Sequence, residues 1–208
     1  MAHKVTELKR GKIYHIYNRG INSENLFKTV DNYPYFLKLY VKHIFPIADT
    51  YAYCLLKNHF HLVVRIKDLI EIEKFNLEIT NEDERIKIIP PHQSFGNMFN
   101  AYAKAINIRN NRTGSLFETP FKRKIINNNA YLKNVIKYVH YNPVYHGFCR
   151  FPIEYPWSSF ESYRSDKPSK LNKNEIIDIF DGIDNFQNFH AYFDDFHELE
   201  NLIHYDKI

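Results

Sequence analysis

Ala48-Asp-Thr-Tyr-Ala-Tyr-Cys-Leu-Leu-Lys-Asn-His-Phe-His-Leu-Val-Val-Arg-Ile66 is the stretch that decides the fold. Its two apolar, strand-like runs, 48–56 and 59–66, are separated only by Lys57-Asn58, a spacing that suits a tight antiparallel hairpin. Along the second run successive side chains fall on opposite faces. Phe60, Leu62, Val64 and Ile66 make one wholly apolar face, and His59, His61, Val63 and Arg65 share the other. Two imidazoles at i, i+2 stand close enough to share one metal ion. A His-x-His pair alone is weak grounds for a ligand set, because surface or hydrogen-bonded histidines are commoner.

Upstream, Lys12-Ile-Tyr-His-Ile-Tyr-Asn-Arg19 has the β-branched and aromatic content of a strand, which Gly20 ends. Phe36, Leu37, Tyr40, Val41 and Ile44 recur at helical spacing and predict a helix over 31–44 with Asp31 as its N-cap. Downstream, residues 67–90 are charged, hold no clear strand and end in Pro90-Pro91, an excursion that is partly helical at most. A second helix is expected over 93–110, then a turn at Asn111-Arg-Thr-Gly114 and a strand-like segment over 115–126. A third helix is expected over 127–141, stopped by Pro143. Strands and helices alternating around a hairpin predict an α+β fold, with helices packed on one face of an antiparallel sheet.

The chain has 208 residues of even complexity, 44% hydrophobic and 25% charged, which fits one globular domain with elaborations and excludes disordered and fibrous classes. Cys54 and Cys149 form no CxxC pair, which argues against a disulfide framework or a zinc ribbon. The N-terminal stretch has no apolar leader and no run approaches the roughly 20 apolar residues of a membrane span, so a soluble, cytoplasmic protein without a membrane partner is expected. The net charge of +4 hides a division. Residues 1–174 carry 27 basic against 15 acidic side chains, and residues 175–208 carry 1 against 9. A basic body of this kind suits a polyanion such as nucleic acid. In the acidic extension, Phe186, Phe189, Phe193, Phe196, Leu199 and Ile203 recur at three- and four-residue steps, an amphipathic helix that must dock on the body. Docked there, it either completes the core or competes electrostatically with DNA.

In the helix expected over 127–141, Leu132, Val135, Ile136 and Val139 define a buried stripe. Tyr138 falls about 110° and Asn142 about 70° from its centre, on one shoulder and one turn apart, so both can face a common site. A half-buried packing role is the default for any one tyrosine. Arg109, Arg112, Lys122, Arg123 and Lys124 gather around the turn at Gly114 and suit backbone phosphates. Tyr102, Phe117 and Phe121 lie among them; each could stack a base, and a core role is at least as well supported.

Five blocks carry a family resemblance: Tyr14-His-Ile-Tyr-Asn-Arg-Gly20, Ala52-Tyr-Cys-Leu-Leu-Lys-Asn-His-Phe-His-Leu62, Gly114-Ser-Leu-Phe-Glu-Thr-Pro-Phe-Lys-Arg-Lys124, Tyr138-Val-His-Tyr-Asn-Pro-Val144 and Trp157-Ser-Ser159. In order over residues 12–163, the chain resembles the REP-associated tyrosine transposases, relatives of the smallest insertion-sequence transposases. The resemblance implies a ferredoxin-like (RRM-like) sheet with the nucleophile's helix beside the histidine strand. It makes His59 and His61 the histidines of the HUH motif, Tyr138 the nucleophile, and Asn142 the polar third metal ligand, where relatives often carry the longer Gln. It implies a transposase, or a domesticated relative, that cleaves and rejoins single-stranded or hairpin DNA through a covalent 5′-phosphotyrosine. The cofactor it implies is a divalent metal ion, Mg2+ or Mn2+, and it allows a homodimer. Imidazole with oxygen ligation suits Mn2+ better, whereas abundance favours Mg2+. No phosphate-binding loop of the GxxxxGK[ST] type is present, in keeping with rejoining that needs no ATP. No side chain is identifiable as the base for the phenol. Among alternatives, a non-catalytic RNA-binding module lacks its RNP signature, a zinc protein fails on thiol spacing, and an HUH replication initiator or relaxase would share the chemistry.

Overall fold

The strand over 59–66 is wholly apolar on one face and sets Val63 among two histidines and an arginine on the other, and the apolar groups on each face need cover. In the computed structural model, which describes residues 5–79, 85 and 87–191, this strand, β3 (His59–Ile66), lies inside a four-stranded sheet ordered β2-β3-β1-β4. β1 (Ile13–Arg19) and β2 (Ala48–Leu55) flank it, β4 (Lys122–Ile126) forms the edge beyond β1, and every pairing is antiparallel. This is the ferredoxin-like α+β sheet that the sequence predicts, and the hairpin turns at Lys57-Asn58 as expected.

Helices α1 (Asn32–His43) and α3 (Pro91–Arg109) pack on the face of Tyr14, Ile16, Phe60, Leu62, Val64 and Ile66, all buried. The opposite face presents Ala52, Cys54, Val63 and Ile126, also apolar, and α4 (Asn129–Tyr145) covers it with Leu132, Val135, Ile136 and Val139. Helices therefore occupy both faces rather than one, because both carry apolar area that needs cover. Helices α5 (Phe160–Arg164), α6 (Lys173–Ile179) and α7 (Ile183–Ala191) complete this side, with Phe160, Ile176, Phe180 and Phe186 buried in the same core. The Tyr51 hydroxyl donates to Glu175 at 2.6 Å, tying α6 to β2. Phe193, Phe196, Leu199 and Ile203 fall outside the described residues.

Three local expectations change, and the partly helical excursion stands. Pro143 does not stop its helix; α4 runs two residues past it, and His146 N–H still donates to Asn142 O at 3.1 Å, so Asn142 is a helical residue. Asp31 stands at the N-cap of α1 without capping it; the side chain of Asn32 instead braces the preceding loop, accepting from the N–H groups of Lys28 and Thr29. Residues 115–121 form only an isolated bridge at Phe117, since Pro120 has no N–H to give a ladder, and the strand begins at Lys122. The excursion contributes α2 (Leu69–Leu77), held to the sheet by Arg65, which bridges Asp49 and Glu71.

Gly20 ends β1 where the chain folds back on itself: a Cβ there would lie 2.0 Å from the Glu24 carbonyl oxygen. Gly96, within α3, has nothing within 4 Å of the same position. The two alanine substitutions should therefore shift stability in opposite directions. Urea unfolding is expected to show Gly20→Ala destabilised by about 1–3 kcal/mol and Gly96→Ala stabilised by about 0.5–1 kcal/mol.

Candidate active site

Beneath α4, the rings of His59 and His61 stand 5.2 Å apart, nearly perpendicular. Each has its Nδ1 engaged by a neighbour on the sheet side. Asn58 Oδ1 lies 2.8 Å from His59 Nδ1, and His15 Nε2 lies 3.0 Å from His61 Nδ1. An amide oxygen only accepts, so His59 Nδ1 carries the proton and His59 Nε2 a lone pair. That nitrogen faces Asn142 Oδ1 at 3.2 Å, while the buried Asn142 Nδ2 has no hydrogen-bond partner. Two acceptors thus meet with no proton between them.

This arrangement fits a cation. Two ligands each about 2.1–2.2 Å from one ion, separated like these two, subtend roughly a right angle at it. Turned by 180°, the same amide would bring Nδ2 to His59 Nε2 and satisfy both groups, so Asn142 can serve the site with or without an ion. Among the described residues no three His, Cys, Asp or Glu side chains converge as a metal cluster. The candidate donors, two imidazoles and one amide oxygen, are all neutral.

Burial sets the protonation of the histidines. It lowers His59 to about 4, helped by the neighbouring His146 and opposed by the nearby Asn142 amide oxygen, which favours a proton on the ring. Burial, with His15, His59 and His146 around it, pushes His61 well below the ordinary value, and burial with Lys124 alongside lowers His15 to about 3. Neutral imidazoles keep the lone pair that ligation needs.

Tyr138 is buried, its ring 5.6 Å from that of His61 and 6.2 Å from that of His15. The helical wheel places it on a shoulder; it is covered because that shoulder faces His15 and His61 on the sheet, while α7 lies against the side of α4 that carries His140 and Tyr141. Tyr138, Asn142 and His146 recur at four-residue steps along one face. His146 caps α4, with its ring 4.9 Å from that of His59.

A second buried chain fixes the helix. His190 Nδ1 donates to Phe186 O at 2.8 Å, so its Nε2 accepts from His140 Nδ1 at 3.1 Å, and His140 Nε2 accepts from the Ser159 hydroxyl at 2.9 Å. Ser159 also takes the Tyr53 N–H at 2.9 Å, joining α4 to β2. His15, His140, His146 and Ser159 were not singled out from sequence. All but His146 depend on pairings between distant segments; His146 alone carried a local signal, its place eight residues after Tyr138.

The predicted phosphate-binding cations separate. Lys122 lines a cleft with Tyr17, Asn18, Arg19, His59, His61 and Glu118. Its volume of about 10 Å3 holds little more than a water. Lys124 pairs in register with His15 and shares its face. Arg123 points to the other face, 4.2 Å over the Phe121 ring. Arg112 is bound to Glu24, Asn107, Gly114 and Ser115 and staples its loop. Arg109 is exposed, 3.5 Å from Asp31. Tyr102 and Phe117 are buried in the core, and Phe121 packs at its margin.

No family model and no curated protein matches the chain. Among solved structures, that of a REP-associated tyrosine transposase bound to a REP hairpin is similar, with a TM-score of 0.56 over 81% of this chain and 89% of that one. At 13% identity this is a likeness of fold. No helix among the described residues is long and apolar enough to cross a membrane.

Each of these histidines is lowered in the folded protein, so between pH 6.5 and about 4 the unfolded chain binds more protons and stability rises with pH. His140, pushed well below the ordinary value by burial and then by His190, adds to the same window. The metal-free protein should lose stability as pH falls through 6.5 towards 4. Urea unfolding is expected to show an uptake near pH 5 of roughly one proton for each of these histidines. A flat profile over that range would mean the imidazoles are already charged in the fold.

Proposed function

We propose that the protein is an HUH-type tyrosine transposase, or a domesticated nuclease of that type, cutting and rejoining single-stranded or hairpin DNA. The observation that carries this reading is the meeting of His59 Nε2 and Asn142 Oδ1, with His61 alongside, beneath the helix that bears Tyr138. The ordered sequence blocks and the likeness of fold to a hairpin-bound transposase support it. On this reading residues 1–174 carry the chemistry and 175–208 form an extension.

His59, His61 and Asn142 would hold Mg2+ or Mn2+, which when bound neutralises a phosphate oxygen and orients the phosphorus. The Tyr138 oxygen attacks phosphorus as its proton leaves, the bond to the 3′ oxygen breaks, and that oxygen takes up a proton. The 5′ phosphate stays esterified to Tyr138, and attack by a 3′ hydroxyl reverses the exchange at no net loss of bond energy. Lys122 and Lys124, on the histidine face, hold backbone phosphates near the cleft, with Arg109, Arg112 and Arg123 as outlying contacts. The water-sized cleft requires side chains at its mouth to move aside for a phosphodiester.

The test is incubation with end-labelled hairpin DNA and Mn2+, read on a denaturing gel. A protease-sensitive adduct to the fragment whose new 5′ end lies at the break is expected. Tyr138→Phe should abolish it, by at least about 10³-fold, while retaining DNA affinity. The pair His59→Ala and His61→Ala should lose metal-dependent cleavage while remaining folded. An adduct that survives Tyr138→Phe would show that another residue is the nucleophile.

A further inference from the structure

His15 is buried, and the strand register explains why it meets His61. β1 and β3 pair with Tyr17 opposite His61, so His15, two residues back on the same face, is the diagonal neighbour. Its Nε2 lies 3.0 Å from His61 Nδ1. Its own Nδ1 is buried without a hydrogen-bond partner. A side chain present only to fill space would be apolar here and leave no orphan polar atom.

We propose that His15 is a positioning residue that fixes the tautomer of His61. His15 Nε2 accepts the His61 Nδ1 proton, which leaves the His61 lone pair on Nε2, the nitrogen that would meet an ion. The direction of this bond rests on the proposed ligand role of His61, since an imidazole that ligates through Nε2 must keep its proton on Nδ1. The neighbouring histidine follows the same plan: His59 gives its Nδ1 proton to Asn58 and turns Nε2 towards Asn142. Both imidazoles are thus braced from the sheet side, one by its chain neighbour and one by a different strand. His15 touches no reacting atom; it acts through His61.

The experiment uses the full-length, metal-free protein with ring-15N histidine, observed by long-range proton–nitrogen correlation at pH 7.5. His61 is expected as the Nδ1-protonated tautomer in the wild type and in His15→Gln, whose amide oxygen can accept. It should become largely Nε2-protonated in His15→Phe, which keeps the bulk and lacks an acceptor. Mn2+ affinity, read from the resonance of the free ion, should fall about 10–100-fold in His15→Phe and recover in His15→Gln. An Nε2-protonated His61 in the wild type, or the same tautomer in wild type and His15→Phe, overturns the inference. Should His15→Phe fail to fold, the wild-type and His15→Gln spectra decide it. An Nδ1-protonated His61 in a wild-type protein that binds no Mn2+ supports the tautomer assignment and strikes instead at the metal reading of the proposed function.

Discussion

An imidazole buried between a sheet and a helix has two ring nitrogens to satisfy and no water to satisfy them, and this constraint organises the second face of the sheet. His61 answers it with His15 on the neighbouring strand. His59 answers it at Nδ1 with Asn58 in its own hairpin and turns its other nitrogen towards the Asn142 amide on α4. His140, on the far side of α4, uses Ser159 and His190. Each pairing joins elements that the apolar cores also join, so packing supplies the stability and the polar contacts set which side chain faces which. A slip of one residue between β1 and β3 would send His15 to the opposite face and break the first pairing outright.

The same constraint fixes how α4 sits on the sheet. Its Tyr138 side faces His15 and His61, and its His140 side meets Ser159 and His190. Its register along the sheet is fixed at two points, by Asn142 against His59 and by His140 against Ser159. Because the helix continues through Pro143, Tyr138, Asn142 and His146 keep one face at successive turns. Ending at 141 would have cut Asn142 loose from that face.

Periodicity made the hairpin, the apolar face of β3, the buried stripe of α4 and the shared face of His59 and His61 legible before any coordinates. These depend on side-chain alternation within one element, which sequence records directly. The burial of Tyr138 was not legible, because it is covered by His15 and His61 on two strands of the sheet, which periodicity within the helix does not record. Nor was the work of His15, which lies 46 residues from His61 and meets it only through strand register. Charge counting does not give the placement of these cations: of the five basic residues gathered around Gly114, Arg112 holds its loop and Arg123 lies over Phe121, on the face opposite Lys122 and Lys124. Linear proximity does not say which side of a strand a cation will take.

The neutrality of the proposed ligands has a consequence for order of binding. Two imidazoles and an amide bring no negative charge, so a divalent ion held by them keeps its full charge in a buried setting, which is unfavourable in isolation. Glu118, the carboxylate lining the cleft, is already paired with Arg19 at 3.3 Å, and Lys122 lines the cleft beside them. The surroundings are therefore cationic before the ion arrives. An anion bound beside the ion would relieve this, and a DNA phosphate is the anion the proposed reaction supplies. Metal and DNA would then each raise the affinity of the other, as reciprocal linkage demands. A site built this way stays weakly metallated without substrate and gathers its charge where the phosphate enters.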